Sequence, residues 1–323
     1  MSNEKNITGI YRFYIDGKMI LEKENAMTET GRSVVVKSLL GIIPNFVDSI
    51  AYGIGASANS FNSASTLIVD KSLEFEIGRT KVIGGSLESA STSNQLIFSG
   101  EIIDPYQYEI REVAIYPSNN INSTVSLDGS VIFNFDLIDD FVKYGTTTGA
   151  SATPSSSARI GTSALSIPAN GDSTSNYIEK VVDGGIFSSL VSYSSQDLFK
   201  LALFKTSLDA ASFYVRFQSD TSNYYDAAFS VPSASGYHIC KTVKGAATVT
   251  GTPDWENITS VKIWNPSTSV LNLDALKIDT GPYSTDTNFG MISRAVLPVP
   301  INKPSSVPLV IEYSLLLNFS GGS

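Results

Sequence analysis

The sequence has very few of the residues on which metal sites and nucleophilic catalysis most often depend. It contains one cysteine, Cys240, and one histidine, His238, in 323 residues. A single cysteine excludes an intrachain disulfide, so the fold does not require an oxidising compartment. A single histidine excludes a zinc site built on several histidines, and a catalytic triad would depend on His238 alone. We interpret both as ordinary residues of one predicted strand, with Cys240 as a small buried apolar side chain.

Runs of basic residues and long apolar runs are also missing. The chain has 22 Lys and Arg against 31 Asp and Glu, a net charge of −9. Nucleic-acid phosphates and anionic membrane surfaces both select clustered positive charge, so neither is an expected partner. No stretch reaches the roughly 18 apolar residues of a membrane-spanning helix, and no membrane insertion is expected. The polar start does not resemble a signal peptide, so we expect the chain to fold in a cytoplasm.

The residues that are abundant favour strands. Apolar residues make up 42% of the chain and charged residues only 16%. This apolar share supports a buried core, and the length is sufficient for two domains. Ser, Thr and Asn supply much of the polar remainder and compete for backbone hydrogen bonds in helices, whereas the 15 Tyr and 16 Phe suit pleated surfaces. The composition therefore predicts a mainly β protein.

The N-terminal segment predicts an α+β domain with two short helices. An Asp16-Gly17 turn between apolar runs predicts a β-hairpin. Thr28 has the position of an N-cap, and Gly41 that of the C-terminal glycine of the same helix. A second helix is predicted over residues 67–79. Beyond it, apolar residues follow strand periodicity as far as about Asp136.

A change of composition near Tyr144 marks a second domain. Residues 145–158 contain no large apolar side chain and are typical of a linker or exposed loop. A new series of strands runs from about Ala164 to about Ile278, at the spacing of a β-sandwich, which we interpret as jelly-roll-like.

The strand predicted over residues 309–319 is long and strongly apolar. An exposed edge of this kind promotes aggregation, so it must pair within the first domain or lie in a subunit interface. We favour the first arrangement. It predicts a domain formed by residues 1–143 with 282–323, into which residues 144–281 are inserted.

Several motifs of the first domain occur in an order that resembles tailed-bacteriophage tail and fibre proteins. They are Asn25-Ala-Met-Thr-Glu-Thr-Gly-Arg, the triplet Leu73, Glu76 and Arg79, Ile110-Arg-Glu-Val-Ala-Ile-Tyr, and Pro300-Ile-Asn-Lys-Pro with the strand after it. The resemblance covers residues 7–136 and 291–319. It implies a virion component (a tail fibre, baseplate or head-fibre subunit) that assembles with other virion proteins as a homo-oligomer, often a trimer.

The inserted segment separately resembles carbohydrate-binding modules of the jelly-roll kind. Residues 158–167 are similar to their first strand, and residues 255–264 and 273–279 to their closing strands. This resemblance implies that the insertion binds a glycan.

Tyr214, Tyr224, Tyr225 and Trp255 are the candidate ligand-binding residues. A pyranose has an apolar face and a ring of hydroxyls, so it is bound by exposed aromatic rings flanked by polar groups. Asn223-Tyr-Tyr-Asp is predicted to lie on a loop. Trp264 is a weaker candidate because its strand contains core residues. For each of these aromatic residues the alternative is ordinary core packing.

Asp136, Asp139 and Asp140 form an acidic cluster at the domain junction and are the metal candidates, and Asp274 and Asp279 lie near the other crossing between the domains. Carboxylate oxygens at this domain junction suit a structural Ca²⁺ ion, although the spacing is not that of an EF-hand and a solvated turn is the alternative. No other cofactor is expected.

We predict a structural and binding protein, not an enzyme. Polysaccharide hydrolysis requires two carboxylates held at a defined separation, and no pair is marked out by the sequence. The prediction is a virion subunit, assembled in the host cytoplasm, that binds host-surface glycans with avidity. The alternatives are a free-standing carbohydrate-binding adhesin and a polysaccharide depolymerase.

Overall fold

The computed structural model of the chain describes residues 7–25, 27–42, 46–55, 73–90, 93–117, 131–136, 142–144, 154–155, 157–167, 169–182, 187–279 and 291–318. The chain divides into two compact units, residues 1–127 with 285–323 and residues 128–284.

The described residues form twenty strands and one α-helix, so the predicted mainly β fold class is confirmed. None of the described helical segments is long and apolar enough to cross a bilayer. In chain order the elements are β1 (Ile7–Ile15), β2 (Lys18–Asn25), α1 (Glu29–Leu39), β3 (Ser49–Gly53), β4 (Glu76–Ser89), β5 (Ser93–Ile102), β6 (Tyr108–Tyr116), β7 (Val131–Phe133), β8 (Val142–Tyr144), β9 (Pro154–Ser155), β10 (Ala164–Ile167), β11 (Tyr177–Val181), β12 (Leu198–Lys205), β13 (Ala211–Asp220), β14 (Asn223–Val231), β15 (Gly236–Val243), β16 (Thr248–Thr250), β17 (Ser260–Trp264), β18 (Leu271–Asp279), β19 (Ser293–Lys303) and β20 (Leu309–Asn318).

The predicted hairpin and the first helix are both confirmed. Asp16 and Gly17 have φ of 51° and 71°, as a type I′ turn between β1 and β2 requires. The Thr28 hydroxyl accepts a 2.8 Å hydrogen bond from the Gly31 N–H and caps α1. Gly41, with φ of 72°, ends the helix by donating its N–H to the Ser38 carbonyl.

The second predicted helix is wrong where the structure describes it. Glu76 begins β4, and residues 67–72 lie outside the described part of the chain. The first part of β4 pairs with β3 and the rest pairs with β5, so long-range strand pairing overrides the local helical pattern. A β-bulge at Ile77 places Glu76 and Arg79 on the same side of β4, where their carboxylate and guanidinium lie 2.5 Å apart.

The first unit is built on one antiparallel sheet with the strand order β19-β6-β3-β4-β5-β20-β1-β2. Strand β20 lies between β5 and β1 and is paired along its whole length with β5. The C-terminal strand therefore belongs to the sheet of the first unit, which is one of the two arrangements that the sequence left open.

Glu112 of the Ile110 motif joins three parts of the first unit. Its fully buried carboxylate accepts hydrogen bonds from the N–H groups of Glu74 (3.0 Å) and Phe75 (2.8 Å). It also accepts a 2.7 Å bond from Arg294 on β19. One buried carboxylate therefore holds the segment before β4 and the strand after the insertion against β6.

The second unit is a sandwich of two antiparallel sheets around an aromatic and aliphatic core. One sheet has the order β15-β12-β18-β10-β9, with β7 paired to β18, and the other has the order β16-β14-β13-β17-β11-β8. Because β7 and β8 pair with strands of this unit, it begins before Tyr144, where the sequence analysis drew the boundary. Phe199, Phe213 and Phe217 are among the fully buried core residues.

Candidate functional site

The outward face of the sheet that contains β14, β13, β17 and β11 carries the candidate site. On β13 the side chains of Phe213, Val215 and Phe217 are fully buried in the core. Successive side chains of a strand point to opposite faces, so Tyr214 and Arg216 point away from the core. We call the outward side chains of these four strands the outer-face site.

Two rows of side chains cross the outer-face site at right angles to the strands. The first row joins residues that the strand register places opposite one another: Asp226, Arg216, Lys262 and Glu179. The second row is aromatic. Tyr214 is opposite Trp264, and Tyr177 follows on β11, because its neighbour Ile178 is opposite Ile263. A charged row and an aromatic row therefore run side by side.

Four flat groups stack into a column in the middle of this face. The rings of Tyr214 and Trp264 are nearly parallel, with centroids 5.1 Å apart and planes 4° apart. The Arg216 guanidinium lies 3.6 Å from the centroid of Tyr224 and 5.3 Å from that of Trp264. Each group is thus held by its neighbours through stacking and cation–π contacts.

Arg216 is fixed in place by Asp226. Its Nε and Nη2 atoms donate hydrogen bonds of 2.7 and 2.8 Å to the two carboxylate oxygens of Asp226. Burial alone would lower the pKa of Arg216, but the hydrogen bond and the charge of Asp226 outweigh it and raise the pKa. The two side chains are only 12% and 18% exposed, so this bidentate pair is well shielded from water.

The other end of the charged row is held by a second cation–π contact. The Lys262 ammonium lies 4.5 Å from the centroid of the half-buried Tyr177 ring. Burial, and then the negative charge of Glu179, raise the pKa of Tyr177. Glu179 therefore lies close enough to act electrostatically on the aromatic row.

Tyr214 and Tyr224 lie in the outer-face site, and both are half-buried. Tyr224 is not on a loop as predicted, because Asn223-Tyr-Tyr-Asp begins β14. A tight turn precedes it, in which the Asp220 carboxylate accepts hydrogen bonds from Ser222 (2.8 Å) and Asn223 (2.7 Å). The chain enters the strand directly after this turn.

Tyr225 and Trp255 lie on the opposite side of the same sheet. Their rings stack with centroids 4.0 Å apart, and Trp255 also packs 5.3 Å from the core residue Phe217. The Tyr225 hydroxyl donates a 2.7 Å hydrogen bond to the Pro253 carbonyl. Since strand neighbours face opposite ways, the structure separates Tyr225 from Tyr224 and does not bring the four candidates together.

Arg216, Asp226 and Lys262 are not among the residues predicted from the sequence, and Trp264, the weaker candidate, is only 8% exposed. Val261 and Ile263 are both fully buried, so strand alternation places Lys262 and Trp264 together on the outward face. Applying this alternation to each predicted strand would have found them. The pairing of β13 with β17, on which the column depends, has no signal in the local sequence.

The calcium candidates are only partly covered by the structure. Asp139 and Asp140 lie outside the described residues, whereas one oxygen of Asp136 accepts 2.9 Å hydrogen bonds from the N–H groups of Thr162 and Ser163. Within the described ranges, no group of three or more His, Cys, Asp or Glu side chains could hold a metal ion. Calcium binding stays a prediction.

Cys240 lies in the core on β15, where burial raises the pKa of its thiol to about 12. His238, two residues away, has its Nε2 atom 2.8 Å from the Ala234 carbonyl. A thiol with so high a pKa is a poor nucleophile at neutral pH.

No family model matches the chain, and no curated protein matches it. Among solved structures it is similar to the family 11 carbohydrate-binding module from Clostridium thermocellum in complex with a β-1,3-1,4-mixed-linked tetrasaccharide. This match has 12% identity and a TM-score of 0.34, over 47% of this chain and 95% of that one.

A second similar structure contains the CBM22-1 and GH10 modules of endo-1,4-β-D-xylanase 10B from the same organism, complexed with xylohexaose. The match has 15% identity and a TM-score of 0.31, over 47% of this chain and 29% of that one. These structural neighbours are carbohydrate-binding modules of weak similarity, so the interpretation of the site depends on the geometry of the chain itself.

Proposed function

We propose that the second unit binds a glycan on the outer-face site and does not alter it chemically. The observation that carries this proposal is the stacked column of Tyr224, Arg216, Trp264 and Tyr214 beside two carboxylates, those of Asp226 and Glu179. Flat apolar surfaces flanked by hydrogen-bonding groups match the two kinds of surface that a pyranose presents.

The rigidity of the column favours binding. The tyrosine rings and the guanidinium are already fixed by each other and by the Asp226 pair, so little side-chain entropy is lost when a sugar docks. Glu179 and Asp226 supply acceptors for sugar hydroxyls. Single contacts of this kind are weak, and repetition over several subunits would supply avidity.

Replacing Tyr214 and Tyr224 together by Ala tests this proposal. We expect the affinity for a polysaccharide that the wild type binds to fall about tenfold or more. The reason is that each ring contributes roughly 1 kcal/mol of stacking beyond its buried area. The measurement is affinity electrophoresis in gels that contain mixed-linkage β-glucan or xylan. The matched control is Tyr106→Ala, a half-exposed tyrosine of the other unit, which should bind like the wild type. Equal retardation of both variants would refute the proposed site.

The absence of chemical conversion is tested in the same incubations. We expect no release of reducing ends from the polysaccharides that are retarded. A steady increase in reducing ends would instead support the depolymerase alternative.

We also propose that the chain is a structural subunit of a phage virion and that copies of it associate through the first unit. Exposed apolar residues at and beyond the end of α1 support self-association: Leu39 is 82% exposed, and Leu40 and Ile42 are also largely exposed. Ile83 and Leu87 on β4 are exposed as well. Leu39, Leu40 and Ile42 are neighbours in the chain, and exposed apolar side chains that lie close together are typical of contact surfaces between proteins.

Size-exclusion chromatography with light scattering tests the assembly proposal. We expect an oligomer for the wild type and smaller species for the Leu39→Ser, Leu40→Ser double variant. Val299→Ser, an exposed apolar position on β19, is the control and should leave the mass unchanged. A strict monomer at high concentration would contradict the virion subunit and favour the free-standing adhesin. Mass spectrometry of purified particles tests the virion location directly.

A further inference from the structure

We infer that the outer-face site takes an uncharged glycan and rejects chains that carry carboxylates. This inference rests on the proposed glycan binding and specifies its ligand class.

The charged row carries no net charge. Two acidic residues, Asp226 and Glu179, stand at its ends, and two basic residues, Arg216 and Lys262, stand between them. A site that selects anions needs more cationic than anionic groups, and this row has equal numbers of the two. The charge of the whole chain, −9, adds a repulsive field for any polyanion that approaches.

The Arg216 guanidinium is already used by the protein. Two of its donor atoms hold both oxygens of Asp226 in the bidentate geometry that a carboxylate ligand would otherwise adopt. One face of the guanidinium lies against the Tyr224 ring. A sugar carboxylate would be left with the Nη1 side of the guanidinium, and there it would lie close to the negative charge of Asp226, which already neutralises this cation.

Lys262 is engaged in a similar way. Its ammonium lies over the Tyr177 ring, and the strand register places Glu179 opposite it. Side chains directly opposite in an antiparallel pair are about 5 Å apart at Cβ, so the negative charge of Glu179 lies near Lys262 and would repel an anionic ligand there. A neutral hydroxyl can accept from Lys262 and donate to Glu179 at once, and a carboxylate cannot donate.

Matched pairs of polymers test the inference. Hydroxyethyl cellulose is compared with carboxymethyl cellulose, and methyl-esterified galacturonan with polygalacturonate, in affinity gels at low and at high salt. We expect the wild type to bind at least one neutral polymer, and its carboxylated partner about tenfold more weakly at low salt, because like charges at short range repel strongly there. Tighter binding of a carboxylated polymer than of its neutral partner would overturn the inference while leaving glycan binding intact. If neither these polymers nor mixed-linkage β-glucan and xylan bind, the proposed function fails and the inference fails with it.

A gain of binding provides a second test that misfolding cannot imitate. The Asp226→Asn, Glu179→Gln double variant removes both carboxylates and leaves Arg216 and Lys262 charged. We expect it to bind carboxymethyl cellulose about tenfold more tightly than the wild type does, with the gain lost at high salt.

The control variant, Glu88→Gln with Glu256→Gln, changes the net charge equally at two exposed positions and should show no such gain. If the double variant melts below the assay temperature, Glu179→Gln alone serves, with an expected gain of about threefold. An equal gain in the control would overturn the inference.

Discussion

Glu112 and Asp226 are both carboxylates bound by an arginine, but they differ in their exposure to solvent. Glu112 is fully buried and joins three segments of the first unit, whereas the Asp226 side chain is 18% exposed on the outer-face site. The same pairing of residue types therefore has a structural role in the first unit and, in the proposed function, a place in the binding site of the second. Burial distinguishes the two roles, and sequence alone does not report it.

Replacing Glu112 with Gln should destabilise the first unit by about 3 kcal/mol, because it removes the carboxylate that neutralises the buried Arg294 guanidinium. Urea denaturation of the full chain measures this loss. Glu109→Gln is the control: Glu109 pairs with Arg111 in a more exposed position and should change stability by less than about 1 kcal/mol. Equal losses in the two variants would contradict the proposed role of Glu112.

The buried carboxyl of Asp274 should make the free energy of unfolding depend on pH. Burial raises the pKa of this carboxyl to about 7, although hydrogen bonds from Tyr237 and from the Arg159 and Ile160 N–H groups act in the opposite direction. The unfolded chain releases this proton at about pH 4, whereas the native state retains it up to about pH 7. The contribution of Asp274 to the free energy of unfolding is therefore fully present below about pH 4 and declines as the pH rises to about 7.

Urea denaturation of the wild type and of Asp274→Asn at a series of pH values between 4 and 8 measures this contribution. We expect the stability of the wild type relative to the variant to fall over that range, since Asn cannot ionise. A difference that is constant with pH would show that Asp274 ionises alike in both states.

At the level of elements, local signals were sufficient wherever a turn or a helix end required a particular residue. The Asp16-Gly17 turn and the limits of α1 at Thr28 and Gly41 follow from backbone conformation and capping chemistry, both of which are short-range. Local sequence predicts a helix at Glu76, where β4 begins, because the partners of this strand, β3 and β5, lie elsewhere in the chain. The alternation of apolar and polar residues predicts where most strands lie, but it does not predict which strands pair with each other.

The Thr28 cap gives a prediction at this scale. Thr28→Ala should lower the free energy of unfolding by about 1–2 kcal/mol, because the hydroxyl accepts from Gly31 and also donates a 2.5 Å hydrogen bond to the buried Met291 carbonyl. Thermal and urea denaturation measure the loss. Ser33→Ala, at an exposed position of the same helix, should change stability by no more than about 0.5 kcal/mol. A loss at Thr28 no larger than that at Ser33 would argue against the cap.

At the scale of the whole molecule, the chain leaves and re-enters the first unit at neighbouring points. Strand β6 ends at Tyr116, and β19 begins at Ser293, which pairs with Ile115. The Ile292 N–H also donates a 2.8 Å hydrogen bond to the Ile115 carbonyl. The segment between them could therefore be replaced by a short turn without displacing either strand.

This geometry predicts that each unit folds without the other. A chain in which residues 119–290 are replaced by a short Gly-Ser linker should retain the cooperative unfolding of the first unit, and residues 128–284 alone should unfold cooperatively and bind the glycan. Calorimetry of the three proteins measures this, with two transitions expected in the full chain. A single transition in the full chain, together with two unfolded fragments, would mean that the units depend on each other.

The sequence by itself determined the strand-rich class, the hairpin, the helix caps and the positions of most strands, because these depend on composition, alternation and short-range backbone chemistry. Tertiary structure alone decided which strands pair, that β20 inserts between β5 and β1, and that Tyr214, Arg216, Trp264 and Tyr224 form one column. The physical reason is that strand pairing joins residues far apart in the chain through backbone hydrogen bonds that any sequence can form. Register and partner are therefore selected by how all the apolar faces pack together.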